Sequence, residues 1–182
     1  MLTFVLLKKK QKMNFLDIIF ERRSIRKYKK DQQIDNKTID LLLEAAMSAP
    51  SARNLQPWHF VVCQDKKSLE QLSTIHPYGS MLSGASLAIL ICGDSQEEQT
   101  ESYIIQDCAA ATQNMLLATH GLGLGGVWLG VFPREKRIQA ISSFFKLPDN
   151  IIPVSLVCIG VADEKKSRNQ NFVPSKVHYE TW

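Results

Sequence analysis

The apolar positions of this chain change period along its length, and the changes mark its elements. Phe15, Ile18 and Ile19 recur at helical spacing, and the arginine pair at 22–23 ends that stretch. Over 35–48, Ile39, Leu42, Leu43 and Ala46 fall on one helix face, with Asp35 or Asn36 as N-cap. That helix is predicted to stop at Ala49-Pro50, because proline disfavours helical geometry in the residue before it. HFVVC (59–63) reads as a strand, 66–73 as a short helix, and His76-Pro77-Tyr78-Gly79 as a loop. The unbroken apolar run SLAILICG (86–93) has the length of a central strand.

A long helix is predicted over 100–120. Its middle, DCAAATQNMLLA, is rich in small residues that let another backbone approach, as in a core or a subunit interface. GGVWLGVF (125–132) and VSLVCIGVA (154–162) are strands. Between them Pro133 suits the first position of a helix whose apolar face is Ile138, Ile141 and Phe145. The tail from 165 is polar and irregular but ends in aromatic residues, so it is expected to dock. No internal repeat or Pro/Gly/Ser-rich linker divides the chain, and its 182 residues read as one domain over 13–182.

Composition adds a contrast. The net charge is +4, yet residues 1–30 hold ten basic and two acidic residues, so the remainder is net acidic. A basic head can serve nucleic acid, acidic lipid, or one small anion. In MLTFVLLKKKQK the apolar residues precede the lysines, the reverse of a signal peptide, and the run is too short to span a bilayer. Residues 1–12 are expected to be a dispensable extension, with a membrane-surface anchor as the alternative. Cys63, Cys92, Cys108 and Cys158 form no CxxC pair and read as buried free thiols, which suits a cytoplasmic protein. The four histidines show neither HxxxH nor HExxH spacing, so no metal site is expected.

Gly121-Leu122-Gly123-Leu124-Gly125-Gly126 matches GxGxxG in the wrong context. A dinucleotide fingerprint needs a strand before the glycines and a helix after them, and here the order is reversed. The run reads as a helix cap entering a strand, with Gly121 supplying the left-handed turn and Gly125 and Gly126 admitting a close ligand.

Two segments carry the candidate chemistry. In Arg22-Arg23-Ser24-Ile25-Arg26 an extended backbone points residues 22, 24 and 26 to one side, a guanidinium–hydroxyl–guanidinium row suited to a phosphate monoester. The loop Ala49-Pro50-Ser51-Ala52-Arg53-Asn54-Leu55-Gln56-Pro57-Trp58 is bounded by prolines. The amides of Asn54 and Gln56 offer donor and acceptor together, as the edge of a heterocycle requires.

Taken together, RRSIRKY, APSARNLQPWHF, QDCAAATQNMLLATHGLGLGGVWLG and the ending VHYETW make the sequence resemble the FMN-dependent nitroreductase family, from about Met13 to Trp182. The resemblance implies an α+β fold, a mainly antiparallel sheet flanked by helices, in an intertwined homodimer with FMN at each of two interface sites. It implies that Arg22, Arg23, Ser24 and Arg26 form the FMN segment, with phosphate near Arg22 and Ser24 and the pyrimidine edge near Arg26. Pro50, Ser51 and Asn54 match the loop that reaches the flavin from the partner subunit. Trp128, Leu129 and Gly130 match the strand end passing the ring, and Arg168 matches a basic residue that helps hold phosphate.

The implied activity is ping-pong transfer of electrons from NADH or NADPH, through flavin N5, to a small-molecule acceptor such as a nitroaromatic or a quinone. No side chain is required as acid, base or nucleophile, because the flavin does the chemistry. A cation about 4 Å from the reduced ring, at an effective dielectric near 20, favours its negative charge by roughly 4 kcal/mol before desolvation costs. Arg53 departs from the smaller residue common in this loop, and it either narrows the slot or binds an acidic group. The short chain implies an open pocket with weak acceptor selectivity. Two alternatives stay open: a same-fold flavoenzyme for enone reduction, reductive dehalogenation or flavin fragmentation, and a nucleic-acid or membrane binder using the basic head. The head lacks the interleaved aromatics of a single-strand binder, which favours an enzyme with neither partner.

Overall fold

The computed structural model of the chain describes residues 14–168 and 171–182, so the expected extension at 1–12 lies outside the described residues. Nine regular elements follow in order: α1 (Phe15–Glu21), α2 (Asn36–Met47), β1 (Trp58–Cys63), α3 (Lys66–Ile75), β2 (Leu87–Asp94), α4 (Glu101–Gly121), β3 (Gly125–Gly130), α5 (Glu135–Phe145) and β4 (Ile151–Gly160). The strands form one sheet in the order β1-β2-β4-β3, every pairing antiparallel. The fold is α+β, as expected.

Alternation on β2 divides the core into two layers. Leu87, Ile89 and Ile91 face α2 and α4, packing with Leu42, Ala46, Ile104, Ala111 and Met115. Ala88, Leu90 and Cys92 face α3 and α5, packing with Leu69, Leu72, Leu82 and Ile141. With both faces covered, β2 is buried at every position, which is why it reads as a continuous apolar run. The four cysteines are buried and free, and burial pushes Cys92, Cys108 and Cys158 up to about 12.

Local chemistry sets the boundaries. Asp35 caps α2 by accepting the Thr38 N–H at 2.7 Å, and Asp65 caps α3 through the Ser68 N–H at 2.9 Å. The threonines of α4 turn their hydroxyls back to the helix, Thr112 to the Cys108 carbonyl and Thr119 to the Met115 carbonyl, each at 2.7 Å. No described helix is long and apolar enough to cross a membrane.

Two expectations need correction. Pro133 does not open a helix: it lies in the turn after a cis Phe132–Pro133 bond, and α5 begins at Glu135. β4 begins at Ile151, three residues early, because the pairing shifts between Ile91 and Cys92 opposite Pro153 and so accommodates a residue with no N–H. The tail is divided: Lys166 and Ser167 bond to the basic segment of the same chain, whereas Phe172, Tyr179 and Trp182 are exposed, Trp182 at 99%.

Candidate functional site

The basic segment is fastened to the sheet through its backbone. Ser24 bridges Gly126 in parallel, and the Ile25 N–H donates to the Gly126 carbonyl at 3.0 Å. Tyr28 bridges Ala162, the Lys29 N–H donates to the Val161 carbonyl at 2.8 Å, and the Asp163 N–H to the Lys27 carbonyl at 2.8 Å. The segment thus wraps the start of β3 and the end of β4.

Glycine makes that close approach possible. A Cβ on Gly125 would lie 2.7 Å from Ile25, and one on Gly160 would lie 2.8 Å from the Tyr28 ring. Gly125 therefore admits this chain's own segment rather than a ligand, and a Cβ on Gly126 would meet Thr119 at 3.1 Å. The left-handed residue of the glycine run is Gly123 (φ 78°), not Gly121, which still belongs to α4.

Tyr28 locks the segment from inside. Its hydroxyl donates to the Ile25 carbonyl at 2.6 Å and lies 3.2 Å from the Cys158 carbonyl, and burial raises its pKa. Glu164 locks it from outside by accepting the Arg26 N–H at 2.5 Å and the Lys27 N–H at 3.2 Å. Those bonds, the Arg26 N–H first, with Lys166 at 3.4 Å, hold the Glu164 carboxyl below its usual range. Lys166 also donates to the Ser24 carbonyl at 2.6 Å.

With its backbone bonds used inward, the segment presents its side chains to two clefts. Arg23 and Ile25 line one of about 500 Å³, together with His120, Leu124, Lys166 and Arg168. Arg26 lines another of about 400 Å³, together with Tyr78, Met81, Trp128, Leu129 and Gly130. Arg23 donates to the Ser167 carbonyl, and Arg168 lies over the Phe20 ring at 4.4 Å. Among the described residues, the guanidinium groups of Arg22 and Arg26 have no hydrogen-bond or ion-pair partner.

The proline-bounded loop is differently built. The Ser51 Oγ accepts the Gln56 N–H at 2.9 Å, and the Asn54 N–H donates to the Ser51 carbonyl at 3.0 Å. Arg53, Asn54 and Gln56 all have positive φ, between 52° and 56°, a conformation that costs non-glycine residues energy. The buried Asp107 of α4 fixes the loop by taking the Ala52 N–H on both oxygens, at 3.0 and 3.2 Å. Arg53 binds an acidic group of its own chain: its guanidinium pairs with buried Glu98 and lies 5.9 Å from the Tyr103 ring centre. The Thr100 N–H, at 2.7 Å, and Arg53 hold the Glu98 carboxyl below its ordinary range.

The family model described as the nitroreductase family matches residues 19–76 and 76–161. The chain belongs to the nitroreductase family. It is 43% identical over 174 residues, 96% of this chain and 91% of the relative, to a protein of Methanothermobacter thermautotrophicus named "Putative NADH dehydrogenase/NAD(P)H nitroreductase". A crystal structure of the same name from Parabacteroides distasonis superposes with a TM-score of 0.88 at 35% identity, covering 93% of this chain and 100% of that one. An FMN-dependent nitroreductase of Clostridium difficile superposes at 0.84 with 32% identity, covering 92% and 99%.

Within this nitroreductase fold, Arg22 and Ser24 line neither cleft, and the other expected residues fall into three groups. Arg26 joins Trp128, Leu129 and Gly130 at one cleft, while Arg23 joins Arg168 at the other. Leu129 is buried, so only its backbone can meet a ligand there. Pro50, Ser51, Asn54 and Gln56 line neither cleft of their own chain. Sequence reasoning missed Lys166, for which Lys166-x-Arg168 beside a strand end was the available signal. It also missed His76 and Tyr78, which read only as a loop, and Met81.

Proposed function

We propose that this chain is an FMN-dependent oxidoreductase that takes electrons from NADH or NADPH and delivers them to electron-poor acceptors, nitroaromatics and quinones among them. The observation that carries the proposal is the set of uncommitted cations along a rigid segment. Arg22 and Arg26 have no ion-pair partner among the described residues, and Arg168, on the Phe20 ring face, lines the neighbouring cleft with Arg23. FMN asks for that donor set, because it joins a phosphate dianion to a flat ring bearing carbonyl acceptors.

The residues present fit the group. Arg22, Ser24 and Arg168 would hold the phosphate, joined by Lys166, and Arg26 with the Trp128–Gly130 backbone would hold the ring. Bound there, FMN would supply hydride acceptance and electron donation at N5. The chain's own part is to bind, orient and charge the site. Arg26 favours the electron-rich form of a ring beside it, and the absence of a side-chain partner leaves its charge unspent. Donor and acceptor would use the same open cleft in turn.

The proposal includes a homodimer. Phe15, Leu16, Ile19 and Phe20 of α1 are exposed, as are the tail aromatics, and a second copy would cover them. The rigid loop carrying Pro50, Ser51, Asn54 and Gln56 would then complete the partner's site. The test is the visible absorption spectrum of the purified protein, followed by heat release and identification of the chromophore. A yellow protein releasing about one FMN per chain supports the proposal. A protein that stays colourless after incubation with FMN overturns it.

A further inference from the structure

The turn at 76–79 is held more tightly than a surface loop needs. His76 caps α3 and is only 2% exposed. The Tyr78 N–H donates to its Nδ1 at 3.2 Å, so Nε2 carries the proton and donates to the Gly130 carbonyl at 3.0 Å. The Gly79 N–H closes the turn on the His76 carbonyl at 2.8 Å. Arg137 of α5 donates to the same Gly130 carbonyl at 2.9 Å. Two donors from opposite sides therefore clamp the last residue of β3, at the cleft that also holds Arg26.

The turn presents one large side chain. Tyr78 is 67% exposed and lines that cleft, and the Arg137 guanidinium lies over its ring, 5.2 Å from the centre. A tyrosine this exposed, with its own N–H and that of the next residue bonded to His76 and a cation against one ring face, is a held flat surface. The His76 ring stands tilted beside it at 6.3 Å, and the exposed remainder of the Tyr78 ring lines the cleft.

We propose that Tyr78 is a specificity-determining residue of this cleft: its electron-rich ring stacks on flat, electron-poor acceptors, while His76 and Arg137 position it by tying its turn to Gly130. The acceptor class follows from ring electrostatics, since offset stacking is most favourable between rings of opposite quadrupole. The inference rests on the proposed oxidoreductase activity for its kinetic consequence but not for its binding consequence.

The experiment compares wild type, Tyr78→Ala and Tyr78→Phe in two readouts. The first is binding of 1,4-dinitrobenzene without turnover, followed by quenching of tryptophan fluorescence, Trp128 lining the same cleft. Tyr78→Ala is expected to weaken binding roughly three- to tenfold, and Tyr78→Phe, which keeps the ring, to restore most of it. The second is kcat/KM of the FMN-loaded protein for 1,4-dinitrobenzene relative to ferricyanide, which has no ring to stack. That ratio is expected to fall by the same factor in Tyr78→Ala, through KM. An unchanged Kd and ratio in Tyr78→Ala, or equal losses in both variants, overturns the proposal. Failure to load FMN would sink the oxidoreductase reading alone, because dinitrobenzene binding still decides the role of Tyr78.

Discussion

The basic segment at 22–28 and the proline-bounded loop at 50–57 are both conformationally fixed, by opposite means. The first is extended, borrows its hydrogen bonds from β3 and β4, and leaves Arg22 and Arg26 uncommitted. The second is coiled, with three residues at positive φ, and depends on α4 and the turn before it, through Asp107 and Glu98. One segment keeps two arginines without a partner among the described residues, whereas the other uses its only charged residue, Arg53, on its own chain. The contrast shows that a conspicuous arginine is informative only once its partners are known.

The contrast can be broken most forcefully at Gly160. A Gly160→Val side chain would overlap the Tyr28 ring, and the change is expected to cost about 3 kcal/mol in urea unfolding. A cost well under 1 kcal/mol would mean that Tyr28 does not anchor the basic segment. At the loop, Asp107→Ala removes the acceptor of the Ala52 N–H and should cost about 1–3 kcal/mol by the same measurement. Asp107→Asn, which keeps one acceptor oxygen, should recover part of the loss. Tyr28→Phe deletes only the hydroxyl bonds and should cost about 1 kcal/mol, with the ring packing intact.

The turn at His76 sharpens the comparison with the smallest effect, because it is held by a group that titrates. Burial first, and then Arg137, lowers the His76 pKa below 6.5, while its bond to the Gly130 carbonyl opposes the shift. As pH falls through 6.5 the unfolded chain takes up a proton that the folded chain refuses, so stability declines toward acid. Melting temperatures at pH 7.5 and 5.5 should show the decline, and His76→Gln should flatten it. An unchanged slope in that variant would mean that other groups carry the pH dependence.

Much of this fold was legible in the sequence because the pattern of apolar residues is a local signal. The continuous run of β2, the helical stripe of α2 and the reversed order around the glycine run all read directly. Some failures depend on distant residues. Nothing near Gly125 says that Ile25 fills the space above it, and nothing near Pro153 says that β2 will shift register to accommodate it. Candidate residues stood out where composition was unusual, as in the clustered arginines. Lys166 and Tyr78 were missed because lysines in a polar tail and a tyrosine in a turn are common, and only packing brings them to the clefts.

The bonds between residues 24–29 and 158–166 also set an order of events during synthesis. Arg26 leaves the ribosome 138 residues before Glu164, whose carboxylate receives its N–H. At about 5–20 residues per second, that is a delay of roughly 7–30 s in which the arginines are made but have no sheet to hold them. The proposed anion site therefore cannot form until residue 166 has emerged, so its ligand cannot serve as an early scaffold for folding.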